Sequence, residues 1–274
     1  MERWICMKIT IVFENHSGYR KGLIGYHGFS ALVESNGYKI LVDAGTEGKV
    51  LLNNMEELGI DVDDIDALFI THGHYDHTGG LKELLKGRSE PLEIYGHPDI
   101  FRKRIALKPK RRDIGIPFTK DELEALGAKF NLTPDPVEIV PGFLSSGEIR
   151  RETWDRAVGY FPDGSKDPVK DDMALIVEEG ENVAVITGCG HSGIINIATH
   201  ATRLTEKTIT ALIGGFHLRG IRKEMLEEVV NKLKDLEVKK LYAGHCTGIE
   251  EFAYLWSNLK NNVEGIYVGK EIKI

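Results

Sequence analysis

Thr71-His72-Gly73-His74-Tyr75-Asp76-His77-Thr78-Gly79-Gly80 packs three imidazoles and a carboxylate into residues 72–77. The residues before it, Asp66-Ala67-Leu68-Phe69-Ile70, read as a buried strand, and those after it, Leu81 to Lys86, as a short helix. The cluster therefore falls at the carboxyl end of a strand, where the chain turns into a helix. Imidazole and carboxylate are the ligand set for divalent transition metals. In an extended turn His72 and His74 project to one side and can chelate one ion. Asp76 and His77, where the chain bends, can hold a second. Two ions about 3.5–4 Å apart can clamp an oxyanion between them. A solvated surface loop also collects histidine, but four ligand-type residues at this spacing, between an apolar strand and Gly-Gly, favour metal.

Working outward, the chain repeats the arrangement. The runs Asn182–Thr187, Ile209–Ile213 and Lys239–Ala243 each read as a strand, and each ends in a glycine-bearing turn with a histidine: His191, His217 and His245. Strand ends along one sheet edge can bring distant side chains together. The opening residues read as strands at Met7–Glu14, Phe29–Glu34 and Tyr38–Val42, with Ser35-Asn36-Gly37 as a hairpin turn and Asp43-Ala44-Gly45 after it. A helix over residues 50–58 stops at Gly59, and an amphipathic helix carries Met225, Leu226, Val229, Val230, Leu233 and Leu236 on one face. No flexible linker and no short fixed period is visible. Residues 1–274 therefore read as one domain, with an insertion around 97–168 that is rich in loops and opens a short helix with the capping box Thr119–Glu122.

Composition bounds the partners. With 274 residues, 42% hydrophobic and 28% charged, the chain is long enough for a large core. A net charge of −7 argues against general affinity for nucleic acid. No apolar run approaches the roughly 20 residues that span a bilayer. The amino terminus does not lead into a secretory signal pattern, so the expected compartment is the cytoplasm. Cys6, Cys189 and Cys246 are too few for a disulfide framework, though the last two each lie within two residues of a histidine. Seven of the eleven residues from Arg102 to Arg112 are basic. Arg102, Arg104 and Lys108, with Arg150 in a second loop, are candidates for an anion-binding rim; the plain alternative is a solvated helix face.

The spacing His72-x-His74-x-Asp76-His77, with the Asp43 turn before it and histidines at later strand ends, resembles the metallo-β-lactamase superfamily over nearly the whole chain. The resemblance implies an α/β architecture: a four-layer αβ/βα sandwich of two mixed sheets, with a dinuclear metal site at one edge. It implies His72, His74 and His191 as ligands of one ion and Asp76, His77 and His245 as ligands of the other. The expected cofactors are two divalent ions, zinc first, with manganese or iron as substitutes. Superfamily members usually place a bridging aspartate in a Gly-Asp turn; here the turn is Gly188-Cys189. Either Cys189 takes that place as a thiolate, or a water or substrate oxygen bridges. Asp171 and Asp172 are remoter replacements for a missing ligand. Asp43 resembles the buried carboxylate that orients a ligand histidine. Asp76, or His217 if it binds no ion, is expected to move a proton. His27, His97, His16 and His200 are expected to be structural or solvated, His27 in a surface turn.

Gly188–Asn196, Gly214–Leu218 and Gly244–Gly248 are similar to the group containing an archaeal 7,8-dihydropterin-6-methyl-4-(β-D-ribofuranosyl)aminobenzene-5′-phosphate synthase. That implies a small phosphorylated or diphosphate-bearing substrate, with a pterin-methyl-diphosphate transferase as one form. The alternatives are hydrolysis of another ester (phosphodiester, lactone or thioester) and a non-catalytic metal-binding protein. A homodimer is left open.

Overall fold

The computed structural model describes residues 7–274, so Cys6 lies outside the described residues. Hydrophobic runs with a period of two become strands whose two faces are both covered. One sheet runs, edge to edge, through Glu271–Lys273 (β16), Lys8–Phe13 (β1), Ser30–Ser35 (β2), Tyr38–Val42 (β3), Ala67–Phe69 (β4), Leu92–Gly96 (β5) and Ala128–Leu132 (β8). The other runs through Val263–Gly265 (β15), Lys240–Gly244 (β14), Ala211–Gly215 (β13), Asn182–Thr187 (β12), Ala174–Glu179 (β11), Phe143–Ser145 (β10) and Val137–Val140 (β9). In each sheet an antiparallel half gives way to a parallel half, beginning at β3–β4 in the first and at β12–β13 in the second.

Alternation along the strands decides the layers. Ile9 and Ile11, Ala31 and Val33, Ile40 and Val42 face Leu175, Val177, Ala184, Ile186 and Ile213 in a core between the sheets. The intervening Val12, Leu32 and Leu41 face outward onto helices Gly48–Leu58 (α1) and Leu81–Lys86 (α3). Ile176, Val185 and Leu212 pack beneath Ile194–Thr205 (α5), Lys223–Asp235 (α6) and Ile249–Leu259 (α7). Each fully buried aliphatic side chain contributes on the order of 1.5–3 kcal/mol, so three such interfaces hold the sandwich. The expected αβ/βα four-layer sandwich of two mixed sheets is the one observed. Among the described residues no helix is long and apolar enough to cross a membrane.

Residues 97–168 hold a small hairpin, Ile105–Ala106 (β6) with Arg112–Asp113 (β7), then the helix Lys120–Glu124 (α4) with its Thr119–Glu122 capping box. They also supply β8, β9 and β10 to the two sheets, short strands that the proline-rich sequence conceals. The basic stretch is thus a hairpin and not a helix face; Pro109 has no N–H to give a helix. Arg104 does not belong to an anion-binding rim. It is 1% exposed, and its guanidinium reaches Asp167 at 2.6 Å and Asp171 at 2.5 Å. The other oxygen of Asp171 accepts from the backbone N–H of Gly73 at 2.8 Å. The buried arginine therefore pins this segment to the peptide between His72 and His74. Removing one partner of such a buried group strands the others, typically at a cost of 3–5 kcal/mol. Arg104→Met should lower stability by about that much in urea unfolding, whereas a rim arginine would change it little.

Candidate metal centre

The turn after β4 is set by Asp43, a fully buried residue in the left-handed region with φ 55°. Its carboxylate accepts from the Thr71 backbone N–H at 2.8 Å, the Thr71 hydroxyl at 2.7 Å and His77 Nδ1 at 2.7 Å. Because that hydroxyl donates to Asp43, its oxygen accepts from His72 Nδ1 at 3.0 Å. One carboxylate thereby fixes two ring tautomers, leaving the Nε2 lone pairs of His72 and His77 free. Tyr75–Thr78 forms a single helical turn (α2) that carries Asp76 and His77 to the bend.

The ends of β12, β13 and β14 meet this turn from the second sheet. A Cβ on Gly188 would lie 2.3 Å from Thr71 Oγ1, 2.7 Å from Asp43 and 2.8 Å from His77, so only glycine allows the approach. His191 donates Nδ1–H to the Arg156 carbonyl at 2.8 Å and turns Nε2 inward. His245 adopts φ 49°, a conformation held by the buried Glu14, which accepts from its backbone N–H, and by Asn15, which meets Nδ1 at 3.2 Å.

Two groups result. Ligand atoms of His72, His74 and His191 lie within 4.8 Å of one another, and so do those of Asp76, His77, Cys189 and His245. His72 Nε2 is 3.0 Å from His74 Nδ1, and His77 Nε2 is 3.2 Å from Cys189 Sγ. Two facing nitrogen lone pairs at such a distance repel unless a proton or a cation lies between them. Nε2 of His74 and of His191 is buried with no hydrogen-bond partner, an arrangement that native interiors avoid unless a further group is held. Burial, reinforced by neighbouring imidazoles, pushes His72 and His191 well below the usual imidazole range. Burial likewise takes His74 down to about 3, so all three rings are neutral, as metal ligands must be. Burial raises the Asp76 carboxyl, but His77, His245 and His27 outweigh it and hold the group ionised. His245 is depressed by burial, yet Cys246 and Asp76 lift it to about 9; a proton there takes the place of a cation. The donor set fits two divalent ions.

The six expected ligands and Cys189 are thus brought together, with Asp43 behind them. His217 belongs to neither group; it gathers with Cys189 and Cys246, its ring 4.7 Å from that of His191. His27 stands in the expected surface turn, its side chain 52% exposed, and from there it also reaches the centre. Its Nε2 is 3.2 Å from Asp76 Oδ2 and its ring stacks on His245 at 5.4 Å. Asp171 is taken by Arg104 and Gly73, while Asp172 accepts from the Ser192 N–H at 2.7 Å; neither faces the ligand groups. His97 caps the 3-10 turn at Asp99, and His200 reaches the Ser146 carbonyl. Of the remaining rim candidates, Arg102 lies over the Phe161 ring at 3.9 Å, Arg150 pairs with Glu152, and the Lys108 carbonyl accepts from Arg112. The hairpin itself abuts the centre: Tyr75 N donates to the Ile114 carbonyl, and His74 bridges Gly115. Arg156 and Glu14 were not anticipated from the sequence, for neither stands in a motif. Cys246 was visible only as a neighbour of His245.

A family model described as the metallo-beta-lactamase superfamily matches residues 23–245. The chain is 32% identical to the 7,8-dihydropterin-6-methyl-4-(beta-D-ribofuranosyl)-aminobenzene-5'-phosphate synthase of Methanocaldococcus jannaschii, over 97% of this chain and 96% of the relative. It is 35% identical to an uncharacterized protein of the same organism, over 97% and 100%. A crystal structure of a metal-dependent hydrolase of the beta-lactamase superfamily superposes with a TM-score of 0.82 at 25% identity, covering 98% of this chain and 99% of that one. The chain belongs to the metallo-β-lactamase superfamily.

Proposed function

We propose that this chain is a dinuclear-metal-dependent enzyme acting on a small phosphorylated or diphosphate-bearing substrate. The observation that carries the reading is the convergence of two ligand groups, with buried unpartnered ring nitrogens, at the meeting edge of two sheets. His72, His74 and His191 would hold one ion, and Asp76, His77, His245 and Cys189 the other. Zinc suits this nitrogen, oxygen and sulfur set best, with manganese or iron as substitutes. Ions bound there would neutralise charge on a phosphoryl group and acidify water.

The chain's own groups do the rest. Asp43 and Thr71 hold His72 and His77 in the tautomers that keep Nε2 free. Asp76, flanked by His27 and His245, is placed to accept or return a proton. The β6–β7 hairpin, followed by Ile114 and Gly115 that touch Tyr75 and His74, carries the exposed cations Lys108, Lys110 and Arg111, which would attract phosphate oxygens. Arg102 and Arg150 are the further candidates for that role.

Two chemistries use the same clamp. A transferase reading, in which an aromatic acceptor bonds to the pterin methyl carbon and displaces pyrophosphate into solvent, is supported by the full-length similarity to the archaeal synthase. A hydrolase reading is supported by the similarity to the hydrolase structure. They separate on one measurement: the transferase releases pyrophosphate only when the acceptor is present, the hydrolase without it. In both, chelation should abolish turnover on a panel of phosphomonoesters, phosphodiesters and diphosphates. Turnover indifferent to chelator would refute the proposal.

Three variants sharpen the reading. His74→Ala should lose bound metal and turnover together, as read by metal analysis of the purified variant. Asp43→Ala should weaken metal retention about 10–100-fold against a competing chelator. Neutralising Lys108, Lys110 and Arg111 together should raise KM several-fold while sparing kcat, with the difference shrinking as salt is added.

A further inference from the structure

The two ligand groups leave one cluster unused. Cys189, His217 and Cys246 bring two sulfurs and a ring nitrogen within 4.8 Å of one another. They follow β12, β13 and β14, three neighbouring strands paired in parallel. The last two turns are stitched together: Phe216 N–H donates to Thr247 Oγ1 at 3.3 Å and His217 N–H to Cys246 Sγ at 3.3 Å. The Cys246 thiol in turn reaches the Cys189 carbonyl at 3.5 Å. His217 is held at φ 45°, in the left-handed region, and its Nδ1 is buried with no partner. A Cβ on Gly215 would come 2.7 Å from Cys246 Sγ, so the chain keeps a side chain out of the space the sulfur occupies.

We infer that Cys189, His217 and Cys246 form a third cation position, contiguous with the proposed two-ion centre through the sulfur of Cys189. Two thiolates and an imidazole select soft or borderline ions, such as Zn²⁺, Cd²⁺ or Cu⁺, over Mg²⁺ and Mn²⁺. With Cys189 already a thiolate on the neighbouring ion, binding releases the Cys246 thiol proton to solvent and makes a metal–sulfur bond to each cysteine. His217 then serves as a ligand in place of the proton carrier expected from the sequence. The inference rests on the two-ion reading only for the sharing of Cys189.

The test uses the full-length reduced protein, loaded with Zn²⁺ for ion counting and with Co²⁺ or Cd²⁺ for thiolate-to-metal charge-transfer absorption. Wild type should retain three Zn²⁺ per chain after gel filtration. Cys246→Ser and His217→Ala should each retain two, and Cys246→Ser should keep only the weaker charge-transfer band due to Cys189. Mg²⁺ alone should not fill the third position. His74→Ala should lose an ion from the opposite end with the charge-transfer band intact. If His74→Ala loses no ion, the two-ion reading fails while the thiolate band still reports on this site. Wild type with at most two Zn²⁺, or a charge-transfer band identical in Cys246→Ser, would overturn the inference. So would a Cys189–Cys246 disulfide that persists in the metal-loaded protein.

Discussion

A single buried carboxylate organises this molecule's edge. Asp43 accepts three hydrogen bonds, two from Thr71 and one from His77, and has no contact with water. A carboxylate buried in that position is tolerable only because every donor around it is aimed inward. The same bonds dictate which nitrogen of His72 and which of His77 carries hydrogen, and hence which lone pairs face the cleft. Loss of Asp43 would therefore leave imidazoles free to flip, even with every ligand residue present.

The sheets explain why so many side chains converge. Parallel pairing begins at β3 and again at β12, so the chain repeatedly leaves a strand on the same edge and returns through a helix on the outside. Turns at strand ends are spared the demand for continued sheet hydrogen bonds. They take up the left-handed conformations seen at Asp43, His217 and His245, which cost energy and persist where surrounding bonds over-determine them. Glu14 and Asn15 do this for His245, and the facing Cys246–Thr247 turn does it for His217 and Phe216.

Much of this was readable from the sequence because two strong signals coincided. Short apolar runs marked the strands, and a glycine with a histidine marked where each one ended. The helix bearing Leu226, Val229, Val230 and Leu233 was equally plain from its spacing. The failures share a cause. Arg104 looked like one more cation in a basic run, because a sequence does not show which charge finds buried carboxylates at Asp167 and Asp171, more than sixty residues away. Strands β8, β9 and β10 are short and lie among prolines, where local preference speaks for loop. Cys246 was noticed but given no task, since adjacency to His245 does not tell whether a sulfur points inward.

The ligand-type side chains come from both layers, from one turn of the first sheet and three turns of the second. His72, His74, Asp76 and His77 leave the first sheet, while Cys189, His191, His217 and His245 leave the second. The interlayer core is apolar and non-directional, so it resists separation of the layers far better than sliding of one across the other. Ions gripped from both sides would act as rivets at the rim, opposing that slide with directional bonds. Occupancy would then be felt as stiffness deep between the sheets, so that chemistry at the edge and rigidity of the interior rise and fall together.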